Sequence, residues 1–136
     1  MSAGINAYVL RRGSERAIQM DNITKERAKW RDKIRTKALE VCQAARTPDE
    51  IERLHGLHMD FSVNLNPLDP EDRGILDVIR RLQDGAASVS TLDEFGDRVA
   101  LLLKHDWDRA KYEVKSKPEP ARTTYVELTE SRTRAT

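Results

Sequence analysis

Three short stretches of the chain have the pattern of a helix N-terminus. The stretches "TPDE" (47–50), "DPED" (69–72) and "TLDE" (91–94) each combine a Thr or Asp capping residue with an acidic residue three positions later. The cap oxygen and the carboxylate satisfy backbone amides that lack partners in the first helical turn, and a proline placed there has no amide to satisfy. A fourth start is predicted at Thr24, with Glu26 in the first turn. Four helices are therefore predicted, over about residues 25–45, 48–65, 70–84 and 92–115.

Each predicted helix carries apolar residues at spacings of three and four, which places them on one face. We expect these faces to pack together as an antiparallel bundle, because short connections favour antiparallel neighbours. The fold class is therefore predicted to be all-α. The predicted core anchors are Trp30, Ile34, Phe61, Phe95 and Trp107.

The same pattern divides the chain into three segments. Residues 1–21 form an N-terminal extension with a loose helical pattern, residues 22–115 form the helical domain, and residues 116–136 form a flexible tail. The tail is rich in Pro, Thr and charged residues, which is typical of disordered segments. Its one exception is "TYVEL" (124–128), which we expect to dock on a partner as an extended segment.

Composition excludes several classes of protein. A single cysteine, Cys42, rules out an internal disulfide framework, and no apolar run approaches the length of a membrane span or a signal peptide. We therefore expect a cytoplasmic protein without a membrane partner. The sequence contains no glycine-rich phosphate loop, nucleophile elbow or metalloprotease motif, so we expect no enzyme activity, no catalytic residue, no metal site and no cofactor.

Two histidines are the nearest approach to a metal motif. His55 and His58 are three positions apart, a spacing compatible with a metal on one helical face, and Glu52 lies three positions before His55. A metal site needs further ligands, and a hydrogen-bonded histidine at the edge of the core is the favoured interpretation. Cys42 lies beside the apolar Val41 and is interpreted as a buried filler rather than a nucleophile.

Charge is divided unevenly along a chain whose net charge is only +1. Residues 1–46 hold eleven Lys/Arg and five Asp/Glu, residues 47–100 hold five and twelve, and residues 101–136 hold eight and six. The blocks either neutralise each other on folding or present two patches to different partners. Mutual neutralisation is the favoured interpretation.

A few charged residues fall on apolar faces. On a helical wheel at about 100° per residue, Arg27 lies inside the apolar face of the first predicted helix and Arg31 lies at its edge. Asp106 lies among the apolar residues of the last predicted helix. A charge directed towards a core needs a partner, so we expect Arg27 or Arg31 to pair with Asp106, with Trp30 close to Trp107 in antiparallel helices. A structural ion pair is favoured over a polar functional site.

Three stretches, "TKERAKWRDKIR", "LNPLDPED" and "LLLKHDWDRAKYE", resemble a pattern found in small uncharacterised bacterial and prophage helical proteins. The resemblance covers about residues 22–115. It implies a bacterial or prophage origin and a helical fold, and it implies no catalytic residue. Those proteins often carry an upstream hydrophobic segment, which this chain lacks.

Two functions follow as expectations. The first is a non-catalytic protein-interaction or assembly module that acts by homo-oligomerisation or by docking on a larger complex. The alternative is a nucleic-acid-binding accessory protein, in which the basic N-terminal third neutralises phosphates. The near-neutral total charge and the acidic middle third favour the first function. The possible phosphate contacts of the alternative are Arg11, Arg12, Arg16, Lys25, Lys29 and Lys33.

The expected ion pair leads to a stability prediction. Asp106→Ala should lower the free energy of unfolding by about 3 kcal/mol or more, because an arginine would be left at the apolar face without its partner. Asp108→Ala, two positions away on the polar face, should stay within about 0.5 kcal/mol of the wild type. Urea unfolding of the two variants provides the measurement, and equal effects would contradict the placement of Asp106.

Overall fold

The computed structural model describes the backbone of residues 2–136 and the side chains of residues 13–136. Within these residues all regular secondary structure is helical, which confirms the all-α prediction. None of the helices described combines the length and the apolar character that a membrane span requires. The five helices are α1 (Ser2–Arg46), α2 (Ile51–Asn64), α3 (Pro70–Gln83), α4 (Val89–Val114) and α5 (Tyr125–Ala135).

The chain divides into two units, the first ending at Lys33 and the second formed by Ile34–Thr136. The first unit is helical from Ser2 onwards. Among its side chains from residue 13 onwards, only that of Arg31 is buried. Its exposed large apolar side chains, each at least half exposed, are Ile18, Met20 and Ile23.

The core of the second unit involves α2, α3, α4 and the last part of α1. Phe61 of α2 and Phe95 of α4 meet edge to face, with ring centroids 5.9 Å apart, which is a favoured geometry for two aromatic rings. Lys37 of α1 pairs with Asp60 of α2 at 3.2 Å. The remaining buried apolar side chains of this unit are Ile34, Val41, Ala44, Leu54, Leu57, Leu65, Ile75, Val78, Ile79, Leu82, Val99 and Leu102.

The predicted core anchors differ in how deeply they are buried. Ile34, Phe61 and Phe95 are at most 1% exposed. Trp30, in the first unit, is partly buried. Trp107 is 51% exposed and does not belong to the core of the second unit. Each step of four residues rotates a side chain by about 40° around the helix, so three such steps place Trp107 about 120° away from Phe95.

Asp69 caps α3 as predicted. Its side chain accepts hydrogen bonds from the amides of residues 71 and 72 at 2.8 and 3.3 Å, and Pro70 is the first helical residue. The predicted capping box at 91–94 is wrong. Helix α4 starts at Val89, and its cap is Ser88, which accepts a hydrogen bond from the amide of Thr91 at 3.2 Å.

Two further predicted helix starts are wrong because a threonine hydroxyl can also donate to a carbonyl one turn earlier. Thr24 lies inside α1, where its hydroxyl donates to the carbonyl of Met20 at 2.9 Å. The hydroxyl of Thr47 donates to the carbonyl of Gln43 at 2.7 Å, at the end of α1. Helix α2 begins only at Ile51, without a side-chain cap.

The predicted flexible tail is also corrected. Residues 125–135 form α5, which starts with a capping box between Thr124 and Glu127, so the extended "TYVEL" segment is wrong. The hydroxyl of Thr124 accepts from the Glu127 amide at 3.1 Å, and the Glu127 carboxylate accepts from the Thr124 amide at 3.2 Å. This local signal outweighs the disorder-like composition of the segment.

The aromatic pair generates a stability prediction. Phe61→Ala should lower the free energy of unfolding by about 3–5 kcal/mol, because it removes a fully buried ring and leaves a cavity beside Phe95. Val114→Ala, at the exposed C-terminal end of α4, should change it by no more than about 0.5 kcal/mol. Both free energies can be measured by urea unfolding, and a small effect of Phe61→Ala would contradict the assigned core.

Candidate functional site

A buried carboxylate lies at the start of α3. Because Asp69 caps this helix, Asp72 falls in its first turn, where it is 5% exposed. Its Oδ2 accepts a hydrogen bond from the amide of Asn66 at 2.8 Å, and its Oδ1 accepts one from Nη1 of Arg122 at 2.5 Å. The same Arg122 nitrogen is 3.2 Å from Oδ2 of Asp69. A carboxylate with so little access to water depends on this opposite charge.

Arg98 of α4 contacts residues of three helices. Its Nε donates to Oε2 of Glu94 at 2.9 Å, and its Nη1 is 3.7 Å from Oε2 of Glu71 on α3. Its guanidinium carbon lies 4.2 Å from the centre of the Tyr125 ring, and the Tyr125 amide donates to Oε2 of Glu71 at 3.0 Å. A Cβ at Gly74 would overlap this guanidinium, so the glycine leaves the space that Arg98 occupies.

Glu71, Gly74 and Arg98 line an open groove of about 640 Å³. Three of its charged side chains have partners within the chain: Arg98 pairs with Glu71, and Arg80 donates to His58 at 3.3 Å. An aromatic ring and paired charges fit the recognition of a polypeptide segment better than bond cleavage, which needs an activated nucleophile or base. The other lining residues are Pro70, Arg73, Leu76, Asp77, Tyr125 and Val126.

Two more charged contacts connect α4 to the C-terminal residues. Arg132 of α5 forms a two-point pair with Asp97, at 2.6 and 3.0 Å. Glu119 lies 3.1 Å from Nε of Arg109 and 3.6 Å from Nε2 of His105. Burial lowers the pKa of His105, and the positive charges of neighbouring arginines lower it further. The lowered pKa favours the neutral form of His105 at pH 7.

A second surface is apolar and lies on α2. Its residues Ile51, Met59 and Val63 are separated by multiples of four, and with Leu68 in the following loop they are all more than half exposed. We call these four residues the α2 outer row. The opposite face of α2 buries Leu54, Leu57 and Phe61, so both faces of this helix carry apolar side chains.

The predicted ion-pair residues differ in burial. Arg31 is buried, whereas Arg27 and Asp106 are partly buried. The two arginines belong to the first unit and Asp106 belongs to the second. Their pairing therefore stays a prediction.

The predicted phosphate contacts lie in the first unit. Lys25 pairs with Asp21 at 3.0 Å and Lys29 pairs with Glu26 at 3.5 Å, so an intrahelical carboxylate accompanies each of these charges. Arg16 and Lys33 are exposed. The side chains of Arg11 and Arg12 lie outside the described residues.

Of the predicted histidine pair, His58 has hydrogen-bond contacts among the described residues. His58 accepts a hydrogen bond from Arg80 and lies 3.5 Å from the hydroxyl of Ser62, whereas His55 is exposed. Burial lowers the pKa of His58, and the charge of Arg80 adds to this effect. Cys42 is partly buried, and burial raises the pKa of its thiol, which disfavours the reactive thiolate at neutral pH.

Sequence reasoning missed Asp72, Arg98 and Arg122. A signal existed for Asp72, which precedes Ile75 and Ile79 at helical spacing and so lies on the apolar face of α3. The helical wheel that identified Asp106 would also have identified Asp72. No periodic signal marks Arg122, because it lies in the non-helical segment before α5.

Comparisons of this chain with protein-family models, with curated proteins and with solved structures find no match.

Glu94 gives the site a dependence on pH. Its Oε2 accepts from Nη2 of Arg81 at 2.5 Å and from Nε of Arg98 at 2.9 Å. Burial alone raises the pKa of this carboxyl group, but the hydrogen bonds from the two arginines outweigh burial and lower the pKa below its ordinary value of 4.5.

We expect the ion-paired Glu94 to stabilise the fold above pH 4.5 and to lose this contribution as the pH falls through its lowered pKa. The unfolded carboxyl group takes up its proton at a higher pH than the folded one, so acid favours unfolding. Urea unfolding as a function of pH should show a steeper acid decline for the wild type than for Glu94→Gln. Identical declines would contradict the contribution of Glu94.

Proposed function

We propose that the chain is a non-catalytic protein-interaction module that acts by self-association. The observation that carries this proposal is the α2 outer row, whose side chains are 53–83% exposed although the opposite face of the helix already contributes to the core. A helix that carries large exposed apolar side chains away from its core face offers a second surface for association. The resemblance to small bacterial and prophage proteins supports a bacterial or prophage system, and we propose the cytoplasm as the location of the module.

The charged residues of the second unit support a non-catalytic role. Asp72 forms an ion pair with Arg122, and Glu94 forms ion pairs with Arg81 and Arg98. Charged groups that satisfy each other contribute to positioning and stability, whereas a catalytic group has to meet a substrate. The polar contacts of this unit therefore serve its architecture.

The nucleic-acid-binding alternative has less support. Lys25 and Lys29 each have an intrahelical carboxylate partner, which reduces the positive charge offered to a phosphate backbone. A salt-dependent mobility shift of generic duplex DNA or RNA by the wild-type protein would favour this alternative. We expect no such shift.

Sedimentation velocity tests the self-association. The wild type should form dimers or larger species at tens of micromolar, and Met59→Glu/Val63→Glu should raise the dissociation constant by about tenfold or more, because two charges would be brought into an apolar contact. Val89→Glu is the matched control, since Val89 is 77% exposed and opens α4, where an acidic residue suits the helix dipole. A strictly monomeric wild type, or equal association of both variants, would overturn the proposal.

A further inference from the structure

Helix α5 is attached to its own chain without any buried side chain of its own. Its polar contacts are the Tyr125 amide on Glu71, the Tyr125 ring under Arg98, and the exposed pair of Arg132 with Asp97. Its apolar side chains Tyr125 and Leu128 are only partly buried. Exposed ion pairs contribute little to stability, so separation of α5 from α4 breaks weak polar contacts and uncovers no fully buried apolar side chain.

The surface on which the C-terminal segment docks is different, because its buried carboxylate needs a positively charged partner. Asp72 is 5% exposed, and Arg122 is the positive group on its Oδ1. If Arg122 left, a desolvated carboxylate would remain without its counter-charge, which is strongly destabilising. A second arginine presented in the same way would remove this penalty, whichever chain supplied it.

The C-terminal segment also carries its own helix cap and is joined to α4 by a non-helical connection. The first turn of α5 is capped by Thr124 and Glu127, which belong to the segment itself, so the capping box moves with the helix. Residues 115–124, which include Pro118 and Pro120, connect it to α4 without regular helix. Up to Arg122 this connection has seven residues, which span at most about 25 Å when extended, and prolines favour such extended conformations.

We propose that residues 122–135 exchange between two copies of the chain, so that each Arg122 docks on Asp72 of the other copy and each Arg132 docks on its Asp97. The exchange reproduces every contact of the segment in trans, and its cost is confined to the connection. Two reciprocal contacts produce a closed dimer. This inference deepens the proposed self-association and rests on it, and it adds contacts that are separate from the α2 outer row.

Charge reversal of the Arg132–Asp97 pair tests the exchange. In Asp97→Lys and in Arg132→Asp, the segment meets a like charge on its own chain and in any homodimer. In a mixed dimer, one interface joins Lys with Asp and the other keeps the native pair, so both interfaces are restored. Mixing an isotope-labelled sample of one variant with the other should therefore yield mixed dimers, by native mass spectrometry, about tenfold or more above the statistical proportion.

The doubly substituted chain Asp97→Lys/Arg132→Asp is the matched control, and it keeps the test decisive if a single variant fails to fold. Its own pair has opposite charges, so it should melt and self-associate like the wild type. Mixed with the wild type, it should separate into homodimers, because both interfaces of the mixed dimer carry like charges. Statistical mixing in both experiments would overturn the exchange and leave self-association through the α2 outer row intact, whereas monomers throughout would overturn both proposals.

Discussion

The ion pair between Asp72 and Arg122 is the contact on which the C-terminal part of the second unit depends. Asp72 also accepts a hydrogen bond from the Asn66 amide, so one buried carboxylate connects the loop before α3, the first turn of α3 and the segment before α5. Loss of the arginine would leave this carboxylate desolvated, at a far greater cost than the loss of any exposed pair. This pair anchors the segment that leads into α5. Helix α5 itself contacts α4 through Arg98 and Asp97.

Several charged residues of the second unit neutralise each other across different parts of the chain. The acidic middle block meets the basic C-terminal residues through Asp72 with Arg122 and Asp97 with Arg132, and Lys37 from the basic first block reaches Asp60. These contacts agree with mutual neutralisation of the blocks. The side chains of the α2 outer row are exposed, and an apolar surface of this kind gains free energy by association.

Local sequence signals predicted a helix start correctly where the capping side chain has a single hydrogen-bonding role. Asp69 followed by Pro70 predicted the start of α3, because an Asp side chain only accepts hydrogen bonds and a proline at the first position fits no other part of a helix as well. Threonine has two roles, as an N-terminal acceptor and as a donor inside the helix, and this explains the errors at Thr24 and Thr47. The error at Trp107 came from following steps of four residues, which drift around a helix by about 40° each.

The sequence by itself determined the all-α fold class, the cap of α3 and the buried anchors Phe61 and Phe95, because capping and periodicity are properties of residues within one or two turns of each other. Only the tertiary structure decided which charges are buried together. Asp72 and Arg122 are separated by 50 positions, and no local pattern relates them. The physical reason is that desolvation and Coulomb attraction depend on distance in space, so a buried pair is defined only after the helices that carry it have packed.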